Sequence, residues 1–270
     1  MMIVLYFALM ASVYSYECHF NDALLTRSGG NNGGNNDGTE GAIDETKIHT
    51  SWKEERDVIP YYFTSYVPNT DRNTMRAAMK DISMKTCIKF RELNYNEKRP
   101  EHVLAIHSEE TYKECSSGNV QWEPRGHRVI VLTIFGSNCN IGLMYHELFH
   151  VLGVAHTQNR PDRDRYININ WQCIKGRTQE QTLNFQYQYT KLSCKDGNTH
   201  GTPYMCNSIM HYPDWAFTKV YPPYCKSITP KNGLKCNYGV VGSGNYPLPE
   251  DWDLIKRAHC GARTPRNNRC

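Results

Sequence analysis

The segment HELFHVLGVAH, residues 146–156, constrains this chain more than any other. It sets three histidines, a glutamate and a glycine in apolar surroundings. A helix over residues 140–152 brings His146 and His150 onto one face, one turn apart. Glu147 is then offset from both, yet within reach of a water held between them. Gly153 follows, and glycine takes the left-handed conformation that ends helices without steric cost. The chain can turn there and bring His156 back toward the first two. The pattern predicts a helix, a break, and three imidazoles around one point.

Three neutral imidazoles form an open zinc site with a position left for water. Zinc lowers the pKa of that water to about 7 and polarises a carbonyl. A neighbouring carboxylate can take the water's proton and deliver it to a leaving amine, and Glu147 is placed for that work. The expected ligands are therefore His146, His150 and His156, holding one Zn2+ per chain, with Glu147 as general base. The plainer alternative is three histidines that happen to line a helix and its exit. Five fixed positions in eleven make chance a poor explanation. A purely structural zinc site would call for a fourth Cys or His nearby, and none is present.

The chain has 270 residues, enough for one enzyme domain with accessory segments. Its 31 Lys and Arg against 27 Asp and Glu give a formal charge of +4 with no basic stripe, which argues against nucleic-acid binding. Residues 1–16 form an apolar run of signal-peptide length ending in small and polar residues, although no Lys or Arg precedes it. A membrane span needs about 20 apolar residues. The reading is a secreted, extracellular protein with no membrane association once the signal is removed. Eleven cysteines without a CxxC pair favour disulfides in an oxidising compartment over a thiolate metal framework. The odd number leaves one thiol unpaired, bridged to another chain, or lost with a removed segment.

Residues 17–41 follow, with a Gly/Asn-rich part at 28–41 that has almost nothing apolar to bury. A pro-segment or a plain disordered tail would both look like this. Order is expected from residue 42 to 260, with a short tail at 261–270. Strands are predicted at 58–63, 87–93, 102–108 and 128–135. Met75, Ala78, Met79 and Ile82 recur at helical spacing within residues 71–86, with Asp71 a candidate N-cap. These methionines read as core. A last helix is expected within PEDWDLIKRAHC, ending at Cys260.

The histidine segment and the later SIMHY, residues 208–212, together resemble the metzincin metalloproteases, whose long zinc motif is followed by a methionine turn. Within them the chain is similar to the astacin family, on VIPYYF, CIKF, QNRPDRDRYININW, NFQYQYT, GTPY and SIMHYPDWAFTK. The resemblance implies an α+β metzincin fold. An N-terminal subdomain carries a twisted sheet and two helices, and an irregular C-terminal subdomain carries one late helix, with the cleft between. It implies a zinc-dependent endopeptidase in which Glu147 activates a zinc-bound water. Met210 lies beneath the metal, and Tyr212 is a switchable ligand that turns to the tetrahedral intermediate. A protein or peptide substrate would lie extended along an edge strand, placed here at residues 128–133. Two disulfides carry over, Cys87–Cys260 and Cys115–Cys139. Outside that pattern, Cys225 and Cys236 could close a local hairpin.

Two departures stand out. The family has a glutamate directly after the third histidine to anchor the mature N-terminus, and this chain has Thr157. The family's inhibitory F-x-G-D motif is absent; Asp22 and Cys18 are the residues that could replace it, with idleness the default reading. An activating protease is the implied partner for removal of residues 17–41, and the oligomeric state is open. The rival function is a secreted, disulfide-rich binding protein on a protease-like fold without turnover. That rival predicts loss of a ligand or of the glutamate, and none is lost.

Overall fold

The structure, a computed structural model, describes residues 58–100, 102–109, 117–122, 128–194, 197–218, 225–231, 233–234, 236 and 246–262. The leader, with Cys18 and Asp22, and Cys115 lie outside the described residues, as does the tail beyond residue 262.

The first half is a five-stranded sheet with two helices. The strands are β1 (Val58–Phe63), β2 (Lys89–Glu92), β3 (His102–Glu109), β4 (Ser117–Trp122) and β5 (Arg128–Phe135), in spatial order β2-β1-β3-β5-β4. The first three pairings are parallel, and only β4 runs antiparallel to its neighbour β5. Central β3 is buried along almost its whole length, as a parallel strand covered on both faces must be. Helix α1 (Asn69–Lys85) buries Met75, Ala78, Met79 and Ile82, the stripe its sequence spacing predicts. Helix α2 (Ile141–Val151) buries Met144, Leu148 and Val151 in the same core.

The second half is less regular. It holds the two-stranded antiparallel pair β6 (Ile167–Ile169) and β7 (Ile228–Pro230), helix α3 (Gln179–Tyr187) and helix α4 (Pro249–His259). It has its own core around Ile167, Ile174, Tyr189, Tyr204, Tyr212 and Ile228. Helix α4 instead joins the first core through Trp252 and Ile255. No helix among the described residues is long and apolar enough to cross a membrane.

Four details correct the sequence reading. Residues 128–133 are not an edge, because β5 lies between β3 and β4; the edge strands are β2 and β4, and β4 is the one beside β5. Its sequence, SGNVQW, alternates polar with apolar, but over six residues with a glycine and one β-branched residue among them the signal is weak. Asp71 is not the N-cap of α1, since the helix starts at Asn69 with Pro68 in the cap position. Asp71 lies in the first turn, buried, and accepts a hydrogen bond from Cys139 N at 2.9 Å, which ties α1 to the approach to α2. The second half holds α3 in addition to the late helix.

The last correction concerns the disulfides. Cys87 bonds Cys260 as expected. Cys225 and Cys236 do not bond each other; the pairs are Cys173–Cys225 and Cys206–Cys236. Asn170 N donates to Ser227 O at 2.8 Å, and Asn170 Nδ2 donates to Lys226 O at 2.6 Å. The exit of β6 is thus laid beside the entry to β7, which brings Cys173 to Cys225. Cys139 and Cys194 are disulfide-bonded as well.

Candidate metal centre

Helix α2 begins where its sequence says it should. The Asn140 side chain accepts from Leu143 N at 2.9 Å, satisfying one of the free N–H groups of the first turn. The helix ends at Gly153, whose φ of 81° lies in the left-handed region. Gly153 N donates to His150 O at 2.8 Å, and Val154 N donates to Phe149 O at 2.9 Å. This reversal turns the Val154 carbonyl back to His150 and carries His156 toward the helix.

The three histidines meet through their Nε2 atoms, at 3.1 Å for His146–His150, 3.2 Å for His150–His156 and 3.3 Å for His156–His146. His146 Nδ1 lies 2.8 Å from Ile209 O, and His150 Nδ1 lies 2.8 Å from Val154 O. A carbonyl oxygen can only accept, so each of these Nδ1 atoms carries the proton and leaves its Nε2 bare. The bare Nε2 atoms of His146 and His150 face each other at 3.1 Å with no hydrogen between them to share. A cation at their centre resolves the repulsion, and a carbonyl partner on the far ring nitrogen is the usual support of a metal-binding histidine. Burial holds all three imidazoles below their ordinary pKa of 6.5, His150 at about 3, so they are neutral, as metal ligands must be. Among the described residues, this trio is the one cluster of His, Cys, Asp or Glu able to hold a metal.

Glu147 is buried on the same helix, next to His146. Tyr212 comes from the second core, its ring centroid 4.5 Å from that of His156 and backed by Tyr189 at 5.8 Å and Phe217 at 5.5 Å. The site therefore sits where the two cores meet. Met210 is buried, and its carbonyl accepts from Thr157 N at 2.9 Å. Thr157 thus joins the third histidine to the 208–212 turn.

The structure adds residues that the sequence did not single out. Buried Gln158 accepts from Tyr212 N through Oε1 at 3.0 Å. His211 Nδ1 donates to Tyr212 O at 2.7 Å, while its Nε2 accepts from Tyr204 OH at 2.8 Å. The Tyr212 backbone is held at both its N–H and its C=O. No periodicity marks such contacts in sequence, because each joins single polar residues on irregular segments.

A helix with two histidines one turn apart, a glycine exit, a third histidine and a tyrosine from a second subdomain define a zinc-peptidase type of site. The family model for the Astacin peptidases matches residues 44–260, and this chain belongs to that family. Its metal cofactor is zinc, one ion per chain. Zinc metalloproteinase nas-11 of Caenorhabditis elegans is 30% identical over 203 residues, covering 75% of this chain and 33% of that protein. High choriolytic enzyme 2 of the medaka Oryzias latipes is 33% identical over 183 residues, covering 66% of this chain and 57% of its own length. The chain thus spans between a third and a little over half of these curated relatives. The solved structure of high choriolytic enzyme 1, a hatching enzyme zinc-protease from Oryzias latipes, superimposes with a TM-score of 0.59 at 29% identity. That match covers 75% of this chain and 89% of the other. The α+β metzincin fold is shared.

Proposed function

We propose that this protein is a secreted zinc-dependent endopeptidase. The observation that carries the reading is the convergence of three Nε2 atoms within 3.3 Å of one another, with the Tyr212 ring against His156 and buried Glu147 on the helix that carries two of them. His146, His150 and His156 hold the zinc. Bound there, zinc supplies Lewis acidity, polarising a carbonyl and making water acidic enough to ionise near pH 7. Glu147 takes the proton from the attacking water and delivers it to the leaving amine nitrogen. The Tyr212 phenol donates a hydrogen bond to the substrate oxygen as that oxygen gains charge. Edge strand β4, which runs alongside α2, offers its free side to an extended peptide.

Incubation with peptides blocked at both ends tests the reading. Internal cuts that disappear on chelation are expected; intact peptides would refute it. Tyr212→Phe keeps the ring packing against His156 and removes one transition-state hydrogen bond. It is expected to lower kcat with KM nearly unchanged. An unaltered kcat in steady-state assays would take Tyr212 out of the mechanism.

Secretion is part of the proposal. The disulfides Cys87–Cys260, Cys173–Cys225 and Cys206–Cys236 suit an oxidising compartment. Residues 1–16 are the signal, and residues 17–41 are a pro-segment cut between Arg27 and Ile43 by an activating protease. Arg27 is a basic site, and the glycine-rich composition after it is readily cleaved. Removal of Cys18 leaves ten cysteines, an even number that can all pair. Mass spectrometry of the active enzyme is expected to find a first residue within 28–43. Full activity in a chain beginning at Glu17 would show that the leader does not inhibit.

A further inference from the structure

We propose that Asp251 is a positioning residue for the metal centre: from helix α4 it fixes the 208–210 turn whose Ile209 carbonyl orients His146. The proposal rests on His146 being a ligand. Asp251 is buried, and a buried carboxylate is tolerated only where hydrogen bonds replace its lost water. Its Oδ1 accepts from Ser208 Oγ at 2.5 Å; its Oδ2 accepts from Ile209 N at 3.3 Å and from Leu248 N at 2.8 Å. Ser208 Oγ accepts in turn from Met210 N at 3.1 Å. The side chain of Ser208 and the N–H groups of Ile209 and Met210 are thereby tied, directly or through one atom, to a single carboxylate. What this arrangement leaves pointing at the metal centre is the Ile209 carbonyl, 2.8 Å from His146 Nδ1. Burial raises the Asp251 pKa, and the Ser208, Leu248 and Ile209 donors oppose that rise.

The helix that carries Asp251 is itself fixed to the histidine helix. Trp252 packs edge-on against Tyr145 at 5.7 Å and Phe149 at 5.5 Å, the residues directly preceding His146 and His150. His259 Nε2 donates to Leu152 O at 2.8 Å, at the end of α2. The Cys87–Cys260 disulfide fastens the helix end to the first subdomain. Asp251 and Trp252 therefore reach the two structures that define the His146 ring, its own helix and the turn that receives its Nδ1–H. The partner of the distal ring nitrogen sets a ligand's tautomer and orientation, and disturbing such partners weakens metal binding by about 10–100-fold.

The test uses the full chain in chelator-competition titrations of zinc. It also uses the visible spectrum of the cobalt-substituted protein and thermal unfolding of the metal-free form. Asp251→Asn is expected to weaken zinc binding by about 10–100-fold and to shift the cobalt bands. A lowered metal-free unfolding temperature with parental zinc affinity and cobalt spectrum would overturn the proposal, since that is the mark of a purely structural residue. If Asp251→Asn does not fold, Ser208→Ala and Ser208→Thr decide. Weaker zinc binding in the first, restored in the second, supports the proposal; parental affinity in Ser208→Ala overturns it. His146→Ala is run alongside. Parental zinc affinity there would overturn the ligand assignment, and the proposal with it.

Discussion

Replacing Glu147 with alanine is expected to leave one zinc per chain and to lower peptide hydrolysis by about 10²–10⁴-fold, the usual contribution of a positioned general base. Glu147 follows His146 on α2, so its side chain leaves the helix about 100° around from that ligand. It is buried and belongs to the helix that the Asn140 cap and the Gly153 exit hold in place. Removing its carboxylate deletes the proton acceptor without touching a ligand. Two readouts that a damaged fold would move together therefore separate: zinc content stays, turnover goes. Glu147→Gln makes the contrast sharper, because it keeps the volume and removes only the basicity. Hydrolysis within a few-fold of the parent in either variant would show that the proton is handled elsewhere.

Replacing His150 is expected to have the opposite signature, loss of the metal itself. His150 is the most buried of the three histidines, and its Nε2 lies within 3.2 Å of both others. Alanine there removes a ligand and leaves a two-nitrogen site. Zinc stoichiometry and activity should both fall to background. Bound metal also stabilises the fold it binds, by about 2.7 kcal/mol when free zinc is 100 times its Kd. The parent's thermal midpoint should drop on addition of chelator, and that of His150→Ala should not respond. Chelator-insensitive melting of the parent, with zinc analysis near zero, would contradict the prediction.

The site was more legible in the sequence than its supports were. The histidine helix was readable because it combines two local signals, ligands one turn apart and a glycine where the chain must reverse; the Asn140 cap is a third that the structure adds. Helix α1 was readable because Met75, Ala78, Met79 and Ile82 form one buried stripe. Helix α3 has no such stripe. Gln181 is its buried residue, while Leu183 and Tyr187 are exposed. Its one signal was the cap, where Thr178 Oγ1 accepts from Gln181 N at 3.1 Å and Gln181 Oε1 accepts from Arg177 N at 2.6 Å. That pattern of Thr followed three residues later by Gln is a known start signature. Strand β4 was missed because its alternation spans only six residues, with a glycine and one β-branched residue among them, and the edge was placed at residues 128–133, which lie in β5. A strand's neighbours depend on crossovers, which hydropathy does not encode. The Cys173–Cys225 and Cys206–Cys236 pairs, the Gln158–Tyr212 bond and the Asp251–Ser208 bond are long-range contacts of irregular backbone, so no local pattern carries them.

X-ray absorption at the zinc edge of the purified protein shows whether three imidazoles hold one zinc. One zinc per chain is expected, with neighbours of nitrogen and oxygen only at about 2.0–2.1 Å and a multiple-scattering pattern of imidazole rings. A sulfur shell at about 2.3 Å, or a folded protein without stoichiometric zinc, would contradict it.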